Sequence, residues 1–246
     1  KVQFKSKIRI IHKRKNHGAC YCRNIGFNQA NAEFIALLDS DDYWMSDKLE
    51  KQLSYMLKNN LDFSCTSFEL LNIFNKKTEK PKVIRYKEQI MKKDLVWGCF
   101  LSPGSTAIIK KSFLHKNNLF QNEKLRRLED WDWLINIEKK TKILFLDEPL
   151  SFINVTKKPS FELINSSVKI FRKSVVENEK KFTYKMKFLS SLYLEKSSAA
   201  LYSDKNFLFL VNGILAFLIF PFRNFNFFSR SLSLLKFFFI KKTQSK

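Results

Sequence analysis

The chain has 246 residues and a mass of 29.3 kDa, enough for one sizeable domain or two small ones. Hydrophobic residues make up 45% of it, which separates it from disordered chains, and five Gly with five Pro exclude a collagen-like or linker-like polymer. Four Cys without a ladder of C-x-x-C pairs make neither a disulfide scaffold nor a structural zinc site. The formal charge is +22, carried by 36 Lys but only 9 Arg, so it is mostly point charge rather than planar forks. With 26 Phe, this balance fits either an A/T-rich genome or an anionic partner. Residues 151–246 hold 17 basic and 5 acidic side chains, and residues 1–150 hold 28 and 18. The front part is therefore the less basic per residue.

In chain order, KIRIIH at 7–12 reads as a short strand and KRKNHG as a polar turn. Residues 19–30 put Ala19, Cys22, Ile25, Gly26, Gln29 and Ala30 at helical spacing. EFIALLDSDD at 33–42 is an apolar run ending abruptly in acids, the pattern of a central strand covered on both faces. Leu49, Leu53, Met56 and Leu57 form the apolar face of a following helix, with Ser46 as its N-cap. DFSCTSFELL at 62–71 is another strand, so the front reads as an α/β layer arrangement. Residues 72–96 are weakly patterned. PGSTAIIK at 103–110 is a turn and short strand, followed by a polar helix or turn around Lys111–Asn118. EDWDWLINI at 129–137 opens a helix with its acids in the first turn. KILFLDEPL is a late strand stopped near Pro149, and Leu163, Ile164, Val168, Phe171, Val175 and Val176 mark a helical face beyond 155.

Two acidic clusters carry the candidate chemistry. Asp39, Asp41 and Asp42 follow FIALL, and ligands of open sheets bind beyond the carboxyl ends of strands. Asp39 and Asp41 are two residues apart and in extended chain face one ligand, as a divalent ion with diphosphate oxygens requires. The other reading is an ordinary acidic strand-to-helix loop. Glu129, Asp130 and Asp132 alternate with Trp131 and Trp133. This is either a sugar platform beside a carboxylate of raised pKa or a capped amphipathic helix with core Trp residues.

The segments GACYCRNIGF, AEFIALLDSDDYW, DKLEKQL, PGSTAIIKK and EDWDW occur in this order and resemble the family 2 glycosyltransferases of the GT-A fold. The resemblance covers about residues 7–155. It implies a GT-A-like mixed sheet with flanking helices over 1–155 and a helical basic and hydrophobic region over 156–246. It also implies transfer of a sugar from a nucleotide-sugar donor to an acceptor hydroxyl with inversion, using Mg²⁺ or Mn²⁺, in lipopolysaccharide, capsule or other surface-glycan synthesis. By motif, Asp39 and Asp41 resemble the D-x-D pair, Asp39 near the donor and Asp41 holding the metal with it. Arg23 and Asn24 resemble donor-site residues. Asp130 resembles the general base, with Glu129, Ser105, Thr106 and Trp131 on the acceptor side. Family members usually begin with a strand and helix that have no counterpart before KIRIIH. The resemblance therefore implies an N-terminally incomplete domain with an exposed edge beside FIALL. SFINVTKK also lacks the family's Tyr-Arg.

Residues 207–222 are apolar but short of the ~20 residues a spanning helix needs. Basic and aromatic residues alternate beyond them, as suits a segment lying in an anionic interface. The expected place is cytoplasmic, peripheral to the inner face of the plasma membrane, with a glycan or lipid-linked acceptor. Two other readings are a truncated inactive interaction protein at the membrane and a basic nucleic-acid-binding protein. The second suits +22 but not motifs that are acidic, so no specific nucleic acid is expected. Cys20 and Cys22 point to different helix faces, Cys65 and Cys99 suit the core, and His12, His17 and His115 have no partner pattern.

Overall fold

A computed structural model of the chain describes residues 8–71, 82–85, 89–155 and 159–221. In chain order the elements are α1 (Ala19–Gln29), β1 (Phe34–Ala36), β2 (Tyr43–Trp44), α2 (Lys48–Lys58), β3 (Phe63–Leu71), β4 (Lys82–Ile84) and β5 (Gln89–Ile90). Then come α3 (Lys92–Leu95), α4 (Pro103–Thr106), β6 (Ile108–Lys110), α5 (Lys111–Lys116), α6 (Glu129–Glu138) and β7 (Ile143–Asn154). Three longer helices close the described chain: α7 (Phe161–Phe171), continued by a π-helical turn over Arg172–Val176, α8 (Phe182–Tyr202) and α9 (Asn206–Ile219).

The sheet runs β1-β6-β3-β7-β2, with β4 on the far end of β3 and β5 on β7. Among the described strands only β3 and β7 pair in parallel, so this is a mixed α/β sheet. β3 is buried through its first six residues and forms the axis. The sequence expectation of a stop near Pro149 is corrected. β7 runs on to Asn154, because the ladder shifts register between Thr66 and Phe68, opposite Pro149, and a bulge tolerates the missing N–H.

KIRIIH is not a strand in the described residues 8–12. Ile8 and Ile10 are largely exposed, and no described strand pairs with them. The apolar run before Asp39 likewise yields only a three-residue strand. Among the described residues β1 has β6 as its one partner, so it lies at an edge rather than in the centre. The face of α1 is also rotated from the expected one. Cys20, Asn24 and Phe27 are its buried positions.

α2 shows the same effect. Lys48, Gln52 and Met56 point inward while Leu49 and Leu57 are exposed, and Asp47 rather than Ser46 precedes the first turn. Gln52 Nε2 donates to the Ser64 and Thr106 carbonyls at 3.1 and 3.0 Å, and its Oε1 accepts from Lys48 Nζ at 2.8 Å. Lys48 Nζ also lies 4.4 Å from the Trp44 ring centroid. Burial pushes the Lys48 amine down to about 8. Gln52 holds the inward face because it satisfies backbone carbonyls that an apolar side chain would leave unpaired, and Lys48 is tied in through the Gln52 Oε1.

The C-terminal helices share a core with the sheet layer. Trp131 packs on Phe171 and Phe188 at ring separations of 4.6 and 6.0 Å, and Val168, Phe171, Val176, Phe188 and Leu192 join the cluster around Phe63 and Trp133. Ser174 Oγ donates to Asp132 Oδ1 at 3.1 Å, and Ser191 Oγ to the Val96 carbonyl at 2.8 Å. No described helix is long and apolar enough to cross a membrane.

Gln52→Leu strands the Lys48 ammonium and two buried carbonyls, and is expected to cost about 2–4 kcal/mol. Urea denaturation followed by circular dichroism measures this. A loss below about 0.5 kcal/mol would show that the network carries no weight.

Candidate active site

Carboxylates from two distant segments converge on one guanidinium. Asp39 and Asp41 lie just beyond β1, and Asp130 lies in the first turn of α6. Arg23 Nη2 donates to both Asp39 oxygens at 2.7 and 3.0 Å. Its Nη1 donates to Asp130 Oδ1 at 3.2 Å and to Gln121 Oε1 at 3.3 Å. The Arg23 side chain is 12% exposed. Burial opposes its charge, but Asp130 and Asp39 more than offset that, and the guanidinium is held more firmly protonated than in water.

The D-x-D loop is pinned from behind. Ser105 Oγ accepts the Asp39 backbone N–H at 2.9 Å and donates to Asp42 Oδ2 at 2.6 Å. Asp42 Oδ1 accepts the Asn154 N–H at 2.8 Å, and the Asn154 amide donates to the Asp41 carbonyl. The Ser105 carbonyl in turn accepts from Trp44 Nε1 and Ser151 Oγ, at 2.8 and 3.0 Å. Asp42 is thus a clip between three segments. Gly104 packs against the pair it serves: a Cβ there would stand 2.4 Å from Asp39 Oδ2 and 2.7 Å from Arg23 Nη2.

Two cavities meet at Asp130. The first, about 260 Å³, is lined by Asp39, Asp41, Asp42, Gly104, Asn154 and neighbours. The second, about 200 Å³, is lined by Cys99, Leu128, Glu129, Trp131 and Glu195. Ser102, Arg127 and Asp130 form walls of both. Ser102 and Leu128 adopt left-handed backbone, with φ of 43° and 67°. This is strain that surrounding structure must hold; Ser102 borders both cavities and Leu128 the second. A larger open hollow by Asn31, Glu33 and His115 lies apart from these carboxylates.

Asp130 has the chemistry of a base. Burial pushes its carboxyl up to about 7, Arg23 opposes that rise, and Glu129 and Asp39 add to it, with Arg127 a weaker counterweight. A carboxylate with a pKa near the working pH is suited to taking a proton.

The structure brings together Arg23, Asp39, Asp41 and Asp130. It gives other expected residues different work. Asn24 is buried, and its amide bonds the Gln121 carbonyl, the Gln121 N–H and Glu123 Oε1, all at 2.9 Å. It fixes the segment whose Gln121 holds Arg23, and its side chain does not face the cavities. Thr106 is fully buried, donating to the Leu101 carbonyl at 2.7 Å, and Ser105 is committed to the D-x-D loop. Trp131 is 1% exposed, with its indole N–H on the Leu95 carbonyl at 2.6 Å. Its ring packs on Phe171 and Phe188 in the core, and the residue also lines the second cavity. Residues that sequence reasoning passed over are Ser102, Arg127, Asn154 and Gln121. The double Arg before E-D was the one visible signal among them.

Among the described residues no three His, Cys, Asp or Glu side chains converge tightly enough to hold an ion unaided. Asp41 nonetheless lines the first cavity with a carboxylate that makes no hydrogen bond or ion pair among the described residues. With Asp39 beside it, this donor set fits Mg²⁺ or Mn²⁺ completed by diphosphate oxygens and water.

The sequence profile described as Glycosyl transferase family 2 matches residues 1–117. Over those residues the chain is similar to that family. An uncharacterized glycosyltransferase of Rickettsia felis is 33% identical over 150 residues, 61% of this chain and 24% of its own length. WfgD of Escherichia coli, named UDP-Glc:alpha-D-GlcNAc-diphosphoundecaprenol beta-1,3-glucosyltransferase, is 43% identical over 67 residues, covering 27% of this chain and 26% of its own. The chain thus spans about a quarter of the length of these relatives. TarS of S. aureus (residues 1–349), crystallised with UDP-GlcNAc, superposes with a TM-score of 0.53 at 15% identity, over 87% of this chain and 76% of that one. This likeness supports the GT-A-like sheet with its helical C-terminal part.

With Asp130 as the base, the rate is expected to fall as pH drops through about 7, where its carboxyl titrates; a kcat/KM profile flat from pH 5 to 8 would contradict this. Asp130→Asn should lower kcat by about 10²–10⁴ with donor affinity kept. Gly104→Ala must displace Asp39 or Arg23, and should lower donor affinity in calorimetry; an unchanged Kd would contradict the crowding.

Proposed function

We propose that the chain transfers a glycosyl group from a nucleoside diphosphate sugar to an acceptor hydroxyl, with inversion at the anomeric carbon, in the building of a cell-surface glycan. The observation that carries this reading is the place of Asp130 in the wall between two cavities, with Asp39 and Asp41 on one side of it. A single displacement needs that order: donor on one side, nucleophile on the other, and a base at the boundary. The relatives point the same way, since WfgD is named for a UDP-sugar donor and a lipid diphosphate acceptor. TuaG of Bacillus subtilis, 27% identical over 167 residues, carries a name that provisionally assigns it to teichuronic acid biosynthesis.

In this mechanism Asp130 takes the proton of the acceptor hydroxyl as its oxygen bonds to C1 of the donor sugar and the bond from C1 to the diphosphate oxygen breaks. Arg23 stays charged throughout. It holds Asp39 toward the donor and keeps Asp130 ionised more readily than burial alone would. Asp41 and Asp39 would hold Mg²⁺ or Mn²⁺, which supplies neutralisation of the charge on the leaving diphosphate. The Asp42–Ser105–Asn154 clip fixes the loop before the donor arrives, so less ordering remains to be done on binding.

A position at the inner face of the plasma membrane fits α9. Phe207, Leu210, Ile214, Phe217 and Leu218 are exposed and repeat every three or four residues, which makes one apolar stripe. The excess of basic residues in 151–246 favours an anionic lipid surface as its occupant.

Incubation with a panel of nucleoside diphosphate sugars and alkyl glycosides, with Mn²⁺, should release nucleoside diphosphate and give a product of inverted configuration by NMR. Retained configuration, or release of no diphosphate from any donor, would contradict the reading. In flotation with phosphatidylglycerol vesicles the chain should rise, and the triple variant Phe207→Ser, Ile214→Ser, Leu218→Ser should stay at the bottom. Equal flotation would remove α9 as the contact.

A further inference from the structure

Three ammonium groups gather at the start of α8, where electrostatics disfavours them. The Nζ atoms of Lys181, Lys92 and Lys187 lie 4.6, 5.6 and 5.7 Å from the Tyr184 ring centroid. Lys181 immediately precedes α8, whose first turn has no acid and no side-chain cap. The unpaired N–H groups and the dipole of a 21-residue helix make this end positive before any side chain is counted. Glu179 offsets part of the charge, since its carboxylate pairs with Lys92 and accepts the Lys181 backbone N–H. Among the described residues the ammonium groups of Lys181 and Lys187 pair with no carboxylate. Ring faces offset a cation only weakly, so the cluster is suited to an anion.

The surroundings say which anion. Lys187 Nζ also stands 5.1 and 5.5 Å from the ring centroids of Trp97 and Phe220, which are themselves 5.5 Å apart. Phe220 follows α9, and α9 runs back along α8: Ser197 Oγ donates to the Phe209 carbonyl and Ser190 Oγ to the Ala216 carbonyl, both at 2.8 Å. The exposed stripe of α9 therefore ends beside the lysines, with Phe217 and Leu218 as its last members. Phe182 and Met91, next in sequence to Lys181 and Lys92, add exposed apolar side chains. Lysines among Trp and Tyr rings, at the end of an apolar stripe, match the level of a bilayer where phosphates lie above hydrocarbon. A nucleic acid fits the charge but leaves the stripe in water.

We propose that the Lys181–Tyr184–Lys187 cluster binds the phosphate of an anionic phospholipid, with Trp97 and Phe220 entering the interface beside it. The inference rests on the membrane position given to α9 above and adds what α9 lacks. α9 carries no charged side chain, so it cannot tell an anionic lipid from a neutral one.

The test measures binding of the full chain to vesicles of phosphatidylcholine alone and of phosphatidylcholine mixed with phosphatidylglycerol. The wild type should prefer the anionic vesicles by more than about tenfold. Lys181→Gln with Lys187→Gln should weaken that binding about 30-fold, the worth of two lysines at an anionic surface, and leave binding to the neutral vesicles unchanged. Lys181→Arg with Lys187→Arg should retain it, which separates charge from loosened packing. The control pair Lys111→Gln and Lys116→Gln on α5 removes the same charge and should leave the preference in place. Brominated lipid should quench the wild-type fluorescence, and Trp97→Phe should lose most of that quenching. Equal losses from the two Gln pairs would show that net charge alone attracts, and would overturn the site. So would release from the vesicles by millimolar glycerol 1-phosphate, which marks a site for free phosphates, or by a single-stranded oligonucleotide. Equal binding to both vesicle types removes the headgroup site but keeps the membrane position. Binding to neither removes the membrane position, and the inference falls with it.

Discussion

Like charges cannot gather in a half-buried hollow unless something holds them there. In this protein that task falls on the guanidinium of Arg23, which bonds Asp39 through one nitrogen and Asp130 through the other. The two carboxylates lie 91 residues apart in sequence, between Asp39 and Asp130, and no hydrogen bond joins them directly among the described residues. Their separation, orientation and protonation therefore depend on one planar fork. A lysine would supply the charge but not the two fixed directions.

The rest of the site reads as support for that fork. Asn24 fixes the segment that presents Gln121 to Arg23, Gly104 leaves room for the pair, and Asp42 clips the loop that carries Asp39. Two residues in left-handed backbone, Ser102 and Leu128, stand at the entrances to α4 and α6; Ser102 borders both cavities and Leu128 the second. The helices beyond residue 159 contribute as well. They complete the core around Trp131 and bring a carboxylate to the second cavity, so the catalytic layer and the helical region share one packed core.

Much of this was legible in the sequence. The α/β order, the helix that opens at Glu129 and the convergence of Arg23, Asp39, Asp41 and Asp130 follow from the motifs. The errors share a physical cause. Apolar periodicity assigned the inward faces of α1 and α2 to Cys22, Ile25, Leu49 and Leu57, but the structure turns Asn24 and Gln52 inward, where each donates to backbone carbonyls, with Lys48 bonded to Gln52. KIRIIH read as a strand and FIALL as a central one, yet residues 8–12 join no described ladder and β1 has one described partner, because pairing is not written in one segment. Trp131 looked like a platform because Trp beside carboxylates serves both sugars and cores; only its burial separates the two. Glu195 lay 65 residues after Asp130, in a helix with no motif.

The central claim, that Arg23 sets the state of Asp130 while holding it to Asp39, is tested most directly by a ¹³C NMR titration of the Asp130 carboxyl in the wild type and in Arg23→Gln. The guanidinium opposes the rise that burial imposes, so its removal should move the midpoint to higher pH and broaden donor-side resonances at Asp39. A midpoint that stays in place, or moves down, would show that the two carboxylates are held by something other than Arg23.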